Sequence, residues 1–288
     1  MATLEQAYAG RTAFITGAAS GIGLELTRQL MSQGCNVMMS DRDGNALKAA
    51  YESLPDSNAN VAHTVVDVVE ADDLARAATE TVERFGAVHH VFNNAGVGVG
   101  GEPGSIDLRD WRWIVDINLM GVVYGVEAFV PHVASNDIGA DGLRGHIVNT
   151  ASMAGHMTLP GMAPYHATKY AVVGYSEALR QELARAKVGV TALCPTFVKT
   201  NIHKSGINSP TAAGRLNEDD PTYALAAEMV ANGMELDLFV TLALRAVAEN
   251  RCHSFNDPMM SAAFDLRREQ LQADLKAGLA DLEGLSGS

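Results

Sequence analysis

Residues 12–34 read "TAFITGAASGIGLELTRQLMSQG": a short β-rich run, a turn holding Gly17, Gly21 and Gly23, then a helical stretch. The same alternation continues down the chain. "CNVMMSD" (35–41) is followed by the helical "DGNALKAAYESL" (43–54), "NVAHTVVDV" (60–68) by "ADDLARAATETVERFG" (71–86), and "VHHVFNNAG" (88–96) comes next. Strands that alternate with helices form a parallel sheet with helices on both faces. The strand runs are nearly continuous in Val, Ile, Phe, Met and Leu, as expected of strands covered on both sides.

A long helical region, "DLRDWRWIVDINLMGVVYGVEAFVPHVAS" (107–135), follows. "HIVNTAS" (146–152) and "VGVTALCP" (188–195) then read as two further central strands, flanking a helical segment that contains "YHATK" (165–169). No Pro- or Ser-rich linker divides these units. The expectation is an α/β chain forming one domain over 1–288, a Rossmann-like doubly wound parallel sheet with helices on both faces. A polar, Gly- and Pro-containing excursion at about 201–234 is expected to act as a lid, because long mid-domain excursions are usually functional. A C-terminal helix is expected at about 258–282.

The 288 residues are 47% hydrophobic and 19% charged, a composition that can build a sizeable core. With 21 Lys and Arg against 34 Asp and Glu the formal charge is -13, and no basic run is present to track phosphates, so nucleic acid is excluded as a partner. The first residues do not form a secretory signal, and the apolar run "MGVVYGVEAFV" is short and interrupted by Glu127. A cytoplasmic protein without a membrane span is expected. Cys35, Cys194 and Cys252 lack metal-ligand spacing and sit in apolar contexts, so neither a metal site nor a disulfide framework is expected.

Glycines at a strand-to-helix turn let the backbone approach a pyrophosphate, which then rests on the positive end of the following helix. The spacing here, Gly-x-x-x-Gly-x-Gly, differs from the commoner Gly-x-Gly-x-x-Gly pattern. Asp41 closes the next strand run, where a carboxylate can bond the hydroxyls of an adenosine ribose. A carboxylate there repels a 2′-phosphate, which selects NAD over NADP unless Arg42 turns inward to pair with that phosphate.

Tyr165 and Lys169 are four residues apart in a helical segment and therefore share a face. A free phenol, with a pKa of about 10, is a poor base at neutral pH, and a neighbouring ammonium favours its ionised form. Ser152, at a strand end, can hold a substrate oxygen by a hydrogen bond. Asn118 can tie a water to the lysine and open a route for a proton. Singly, these residues read as a strand-end cap, a helix-kink amide and a solvated cation.

Together, "TGAASGIG" (16–23), "NNAG" (93–96), Asn118, Ser152, Tyr165 and Lys169 resemble the short-chain dehydrogenase/reductase family, in order and interval, over roughly residues 10–200. The resemblance implies a catalytic set of Asn118, Ser152, Tyr165 and Lys169. For the cofactor it implies Gly17, Ser20, Gly21, Ile22 and Gly23 in the turn, Asp41 at the ribose, and Asp67 with Val68 at the adenine. Asn94, Ala95 and Gly96 would lie beside the cofactor, as would Tyr165 and Lys169. "PTFVKT" (195–200) resembles the family's Pro-Gly-x-x-x-Thr stretch, with Pro195, Val198 and Thr200 as contacts. Thr196 stands where the family has Gly, which puts the local backbone in question because Thr tolerates positive φ badly. A homodimer or homotetramer is implied by the resemblance alone.

"VKTNIHKSGINSP" (198–210) and "ANGMEL" (231–236) look like bacterial Cα-dehydrogenases acting on benzylic alcohols of lignin-derived aryl ethers. Val97, Met153, Met157, Met162 and Ile202 can offer apolar walls, and His156 or His203 a polar contact. The expected substrate is a bulky, uncharged, aromatic secondary alcohol or its ketone. A steroid or terpenoid alcohol comes next, and a non-catalytic dinucleotide-binding regulator is the alternative from another class.

Overall fold

The computed structural model describes residues 4–55, 60–211 and 221–286. After a short helix α1 (Leu4–Tyr8), the chain runs β1 (Thr12–Thr16), α2 (Gly21–Ser32), β2 (Asn36–Asp41), α3 (Gly44–Glu52), β3 (Val61–Val65), α4 (Ala71–Phe85) and β4 (His90–Asn93). It continues through α5 (Leu108–Val115), a π-helical turn (Asp116–Met120), α6 (Gly121–Ala134), β5 (Gly145–Thr150), α7 (Ala163–Glu182) and β6 (Val188–Cys194). The last elements are α8 (Pro221–Ala231), α9 (Leu236–Ala248), β7 (His253–Phe255) and α10 (Met259–Ser286).

Among the described residues the seven strands are all parallel, in the order β3-β2-β1-β4-β5-β6-β7. The strand order reverses between β1 and β4, and in such sheets the crevice for a ligand opens at the carboxyl ends of the strands at that point. Every residue of β1 and of β6 is buried, which explains their unbroken apolar runs. Edge strand β3 instead exposes alternate residues, with Val65 49% exposed.

Two apolar layers hold the sheet. On one face Leu26 and Leu30 of α2, Leu47 of α3 and Phe239, Val240 and Leu244 of α9 pack together. On the other, Leu74 of α4, Val126 and Phe129 of α6 and Leu179 of α7 pack against Phe14, Val91 and Ile147. Local chemistry sets several boundaries: the Asp43 side chain accepts from the N–H groups of Asn45 and Ala46 to start α3. Gly86, at φ 84°, ends α4 in the left-handed conformation.

The continuous helical stretch 108–134 is long and apolar enough to cross a membrane by length and composition, but it serves here as a core helix between α4, α7 and the sheet. Cys35 and Cys194 are free and buried; Cys252 is also free but only half-buried. The C-terminal helix α10 runs from Met259 to Ser286. Of the expected lid, residues 212–220 lie outside the described residues. The remainder is a 3₁₀ segment (Ile202–Asn208), α8, and a return in which Met234 bridges Val198.

Candidate active site

The Gly-rich turn joins β1 to α2 at the switch point. Gly17 has φ +65°, and a Cβ on Gly23 would lie 2.2 Å from Gly17 O, so the turn packs against itself too closely for any side chain there. Ser20 holds the N-cap position of α2 in extended backbone, but its side chain makes no cap bond, which leaves the helix's first amides turned outward. A Cβ on Gly21 would approach only Thr200, at 3.7 Å; Ile22 is half-buried beside it. The turn and Thr200 thus border one another, and together they present backbone N–H groups and a hydroxyl-bearing side chain, a donor set that suits a pyrophosphate.

Asp41 faces this turn. Its Oδ2 accepts from Ala19 N–H at 3.2 Å and its Oδ1 from Asp43 N–H at 3.1 Å, while Arg42 is exposed. At the end of β3 the Asp67 carboxylate accepts from Val69 N–H at 3.2 Å, and Val68 is buried against Gly121. Asn94 stitches the strand ends: its N–H donates to Thr16 Oγ1 at 2.9 Å, its Nδ2 to Thr16 O at 3.0 Å, and its Oδ1 accepts from Thr150 Oγ1 at 3.3 Å. Ala95 N–H shares the same Thr16 hydroxyl at 3.0 Å.

Asn118 sits in the π-helical turn, fully buried. Its side-chain amide bonds both backbone groups of Val97 and reaches Thr168 Oγ1 at 3.3 Å. The Asn118 side chain is thus committed to the 96–98 loop. π-helical turns often mark functional sites, because the extra residue disturbs the regular backbone ladder. Next to it, a Cβ on Gly96 would stand 3.4 Å from Asn118 Oδ1 and 3.6 Å from Lys169 Nζ.

Ser152 lies two residues past β5 and caps a short 3₁₀ turn, accepting from Ala154 N–H at 3.1 Å and donating to Pro195 O at 3.4 Å. Tyr165 and Lys169 project from one face of α7, with Nζ 5.6 Å from the phenol ring centroid. Lys169 is 3% exposed and donates to Thr150 O at 2.8 Å. Burial lowers its pKa to about 8. For Tyr165, burial raises the pKa and a hydrogen bond with Ser152 lowers it. The Lys169 ammonium meets the Thr150 carbonyl and stands over the face of the phenol ring.

Thr196 departs from the family's Gly without strain. Its φ is not positive, and its N–H and hydroxyl both donate to Asn256 Oδ1, at 2.9 and 3.3 Å. Pro195 O also accepts from Met153 N–H at 2.8 Å, and Val198 is buried beside Met234.

Two histidines change the reading of the wall. His156 turns away into a cluster with His253, Phe255 and Phe264 and bonds Cys194 Sγ at 3.4 Å. Burial, chiefly, pushes its pKa down to about 4, so it is a packing residue and not the expected polar contact. His166, inside the YHATK pentapeptide and unnoticed in the sequence, donates from Nδ1 to Ala154 O at 2.9 Å while its Nε2 accepts from Leu159 N–H at 2.9 Å. That pairing requires the neutral tautomer with its proton on Nδ1. It ties the loop after Ser152 to the helix that bears Tyr165.

Comparison with known proteins agrees with this geometry. Residues 11–209 match the family model described as short chain dehydrogenase. A solved short chain dehydrogenase/reductase from Burkholderia phymatum, in complex with NAD, is 34% identical with a TM-score of 0.83 over 93% of this chain and 96% of that one. The "CLA biosynthesis dehydrogenase/reductase" of Lactiplantibacillus plantarum is 30% identical over 97% of this chain and 98% of its own. The "C alpha-dehydrogenase" of a Sphingobium species is 29% identical over 84% of this chain and 79% of its own. Since the family model runs from the start of β1 past the helix of Tyr165, and relatives align along nearly the whole length, the chain belongs to the short-chain dehydrogenase family of oxidoreductases.

Proposed function

We propose that the protein is an NAD-dependent oxidoreductase that interconverts a bulky, aromatic secondary alcohol and its ketone, with Tyr165 as general base. The observation that carries this reading is the convergence of Tyr165, Ser152 and Lys169 at the end of β5: Lys169 Nζ stands 5.6 Å from the Tyr165 ring centroid and donates to Thr150 O at 2.8 Å, and the Ser152 hydroxyl is near enough to the phenol to lower its pKa.

The cradle of Gly17, Gly21, Gly23 and Thr200, with Asp41 beside it, would hold the dinucleotide. When bound and oxidised, a nicotinamide supplies the hydride acceptor and a positive charge near the phenol. Ser152 Oγ holds the alcohol oxygen, and Tyr165 Oη takes the hydroxyl proton as the O–H bond breaks. The lysine ammonium has three donors, one of which goes to Thr150; the other two remain to hold the phenolate and a relay water. In the reverse direction Tyr165 returns the proton to the alkoxide.

NAD is favoured over NADP because the Asp41 carboxylate accepts from Ala19 in the Gly-rich turn and so occupies the region a 2′-phosphate would need. The aromatic substrate class draws support from the Sphingobium relative and from the apolar Val97, Met153 and Met162 near Ser152 and Tyr165. With His156 packed elsewhere, His203 is the remaining histidine for a polar contact. A cytoplasmic homodimer or homotetramer is the family pattern we adopt.

The test follows the reduction of NAD by its absorbance change with 1-phenylethanol, a hydroxysteroid, a sugar alcohol, a short aliphatic alcohol and a 3-hydroxyacyl thioester. The arylalkanol is expected to give the highest kcat/KM. A sugar alcohol or thioester in first place would refute the substrate class; no turnover with any alcohol would refute the enzyme.

A further inference from the structure

We propose that Asp110 is a positioning residue that anchors residues 200–211 as a strap across the mouth of the cleft, and so sets how tightly the site holds its ligands. Asp110 is a carboxyl-bearing residue with no exposed surface, in the first turn of α5. A buried carboxyl group is costly unless its oxygens are bonded. Here Ser209 Oγ donates to Oδ1 at 2.5 Å, Thr211 N–H donates to the same oxygen at 3.3 Å, and the Thr211 hydroxyl donates to Oδ2. Ser209 and Thr211 are themselves 1% and 7% exposed.

The rest of the segment is different. Asn201, Ile202, Lys204, Asn208 and Pro210 are exposed, while His203 and Ser205 are half-buried and Gly206 is buried, so the strap keeps one side to solvent before its end is buried against α5. Two further points fix its course. Thr200 stands over Gly21 of the phosphate cradle, and Ser205 Oγ accepts from Gly98 N–H at 2.8 Å. Gly98 adjoins the Gly96–Val97 pair that Asn118 grips beside Lys169. The strap therefore runs from the cradle, past the loop that borders the tetrad, to Asp110. Its far end, where Ser209 and Thr211 are buried against Asp110, is the part shut off from water, so that end decides its position.

Three donors converging on two oxygens suit a carboxyl group specifically. Asparagine offers one accepting oxygen, and one hydroxyl would have to rotate to accept from its amide; alanine offers nothing.

The experiment compares wild type with Asp110→Asn and with the double variant Ser209→Ala/Thr211→Val, which leaves α5 itself unchanged. Amide hydrogen exchange over 200–211 and at Gly98, and the Kd for NAD, are measured on the full chain, with kcat and KM for 1-phenylethanol. The double variant is expected to lose protection in the strap and at Gly98 but not in β1 or β5, and to bind NAD or the alcohol about tenfold more weakly, with kcat within about threefold. Asp110→Asn should fall between. Unchanged strap exchange, or lost strap protection with unaltered NAD binding and alcohol KM, overturns the proposal. The ligand effect rests on the dehydrogenase reading, whereas exchange does not: a chain that turns over no alcohol would refute that reading and still report on the anchor.

Discussion

Asn118 and Val97 bond each other twice: Val97 N–H donates to Asn118 Oδ1 at 2.8 Å, and Asn118 Nδ2 donates to Val97 O at 2.9 Å. The side chain behaves as a strand partner for a loop that has none. Asn118→Ala would leave one donor and one acceptor unpaired beside a fully buried position. Each such group costs roughly 1–3 kcal/mol, partly recovered if water enters, so a loss of about 2 kcal/mol in urea unfolding is expected. Turnover should fall with it, because Gly96 packs against Lys169 Nζ. Unaltered stability would mean the 96–98 loop is held by other contacts.

Tyr165→Phe removes the phenol oxygen and keeps the ring beneath Lys169. Turnover should drop by at least about 10²–10⁴-fold, the usual contribution of acid–base catalysis, with NAD affinity and thermal unfolding nearly unchanged. Near-normal kcat at saturating alcohol would remove Tyr165 from its role.

Lys169 carries a stability cost. Its pKa in the folded chain is about 8, below the ordinary 10.5, so between those values the unfolded chain binds more protons and stability rises with pH. Below pH 8 the penalty for the buried ammonium is present in full. Lys169→Met lacks that term. The stability of wild type relative to the variant should therefore increase from pH 8 to pH 10, measured by urea midpoints, with the variant inactive throughout. Above pH 10 the raised Tyr165 pKa acts in the opposite direction, which sets the upper limit of the window. A difference independent of pH would show that Lys169 is not titrating in this range.

His166→Ala cuts the tie between Ala154 O and Leu159 N–H, each 2.9 Å from the ring. The loop after Ser152 should loosen, and KM for the alcohol should rise by about tenfold, more than kcat falls. Gln in place of His carries both a donor and an acceptor and should restore part of the loss. Equal behaviour of the two variants would indicate a packing role instead.

What the sequence made legible was local. The Gly17–Gly23 turn and the Tyr165/Lys169 face are set by residues a few positions apart, and the parallel sheet follows from alternation that any window displays. Asp110 meets Ser209 across 99 positions, and Thr196 meets Asn256 across 60; a residue's neighbours cannot reveal such partners. His166 was hidden differently. It sits between two catalytic candidates and reads as filler until its ring is seen to bond both ends of a loop. His156 misled for the converse reason: its position suggested the pocket, and a 5.3 Å contact with Phe264 of α10, far off in sequence, draws it away.

In the proposed reading, coenzyme choice depends on one carboxylate. Asp41 holds Ala19 N–H at 3.2 Å and Asp43 N–H at 3.1 Å, so its position is fixed from both sides, whereas Arg42 is exposed. A 2′-phosphate brought to this place would meet a negative charge that cannot swing aside without breaking two hydrogen bonds. NAD should therefore exceed NADP in kcat/KM. Asp41→Ala removes the repulsion and also the ribose bond, lowering the value for NAD while raising that for NADP, so the two should converge by about tenfold or more. Asp41→Asn separates the effects: it keeps a hydrogen-bonding group for the ribose and discards the charge. If Asn retains the NAD preference of wild type, charge is not what discriminates, and shape at the end of β2 must do so. If wild type itself prefers NADP, Arg42 turns inward when the coenzyme binds, and Arg42→Ala should then abolish that preference.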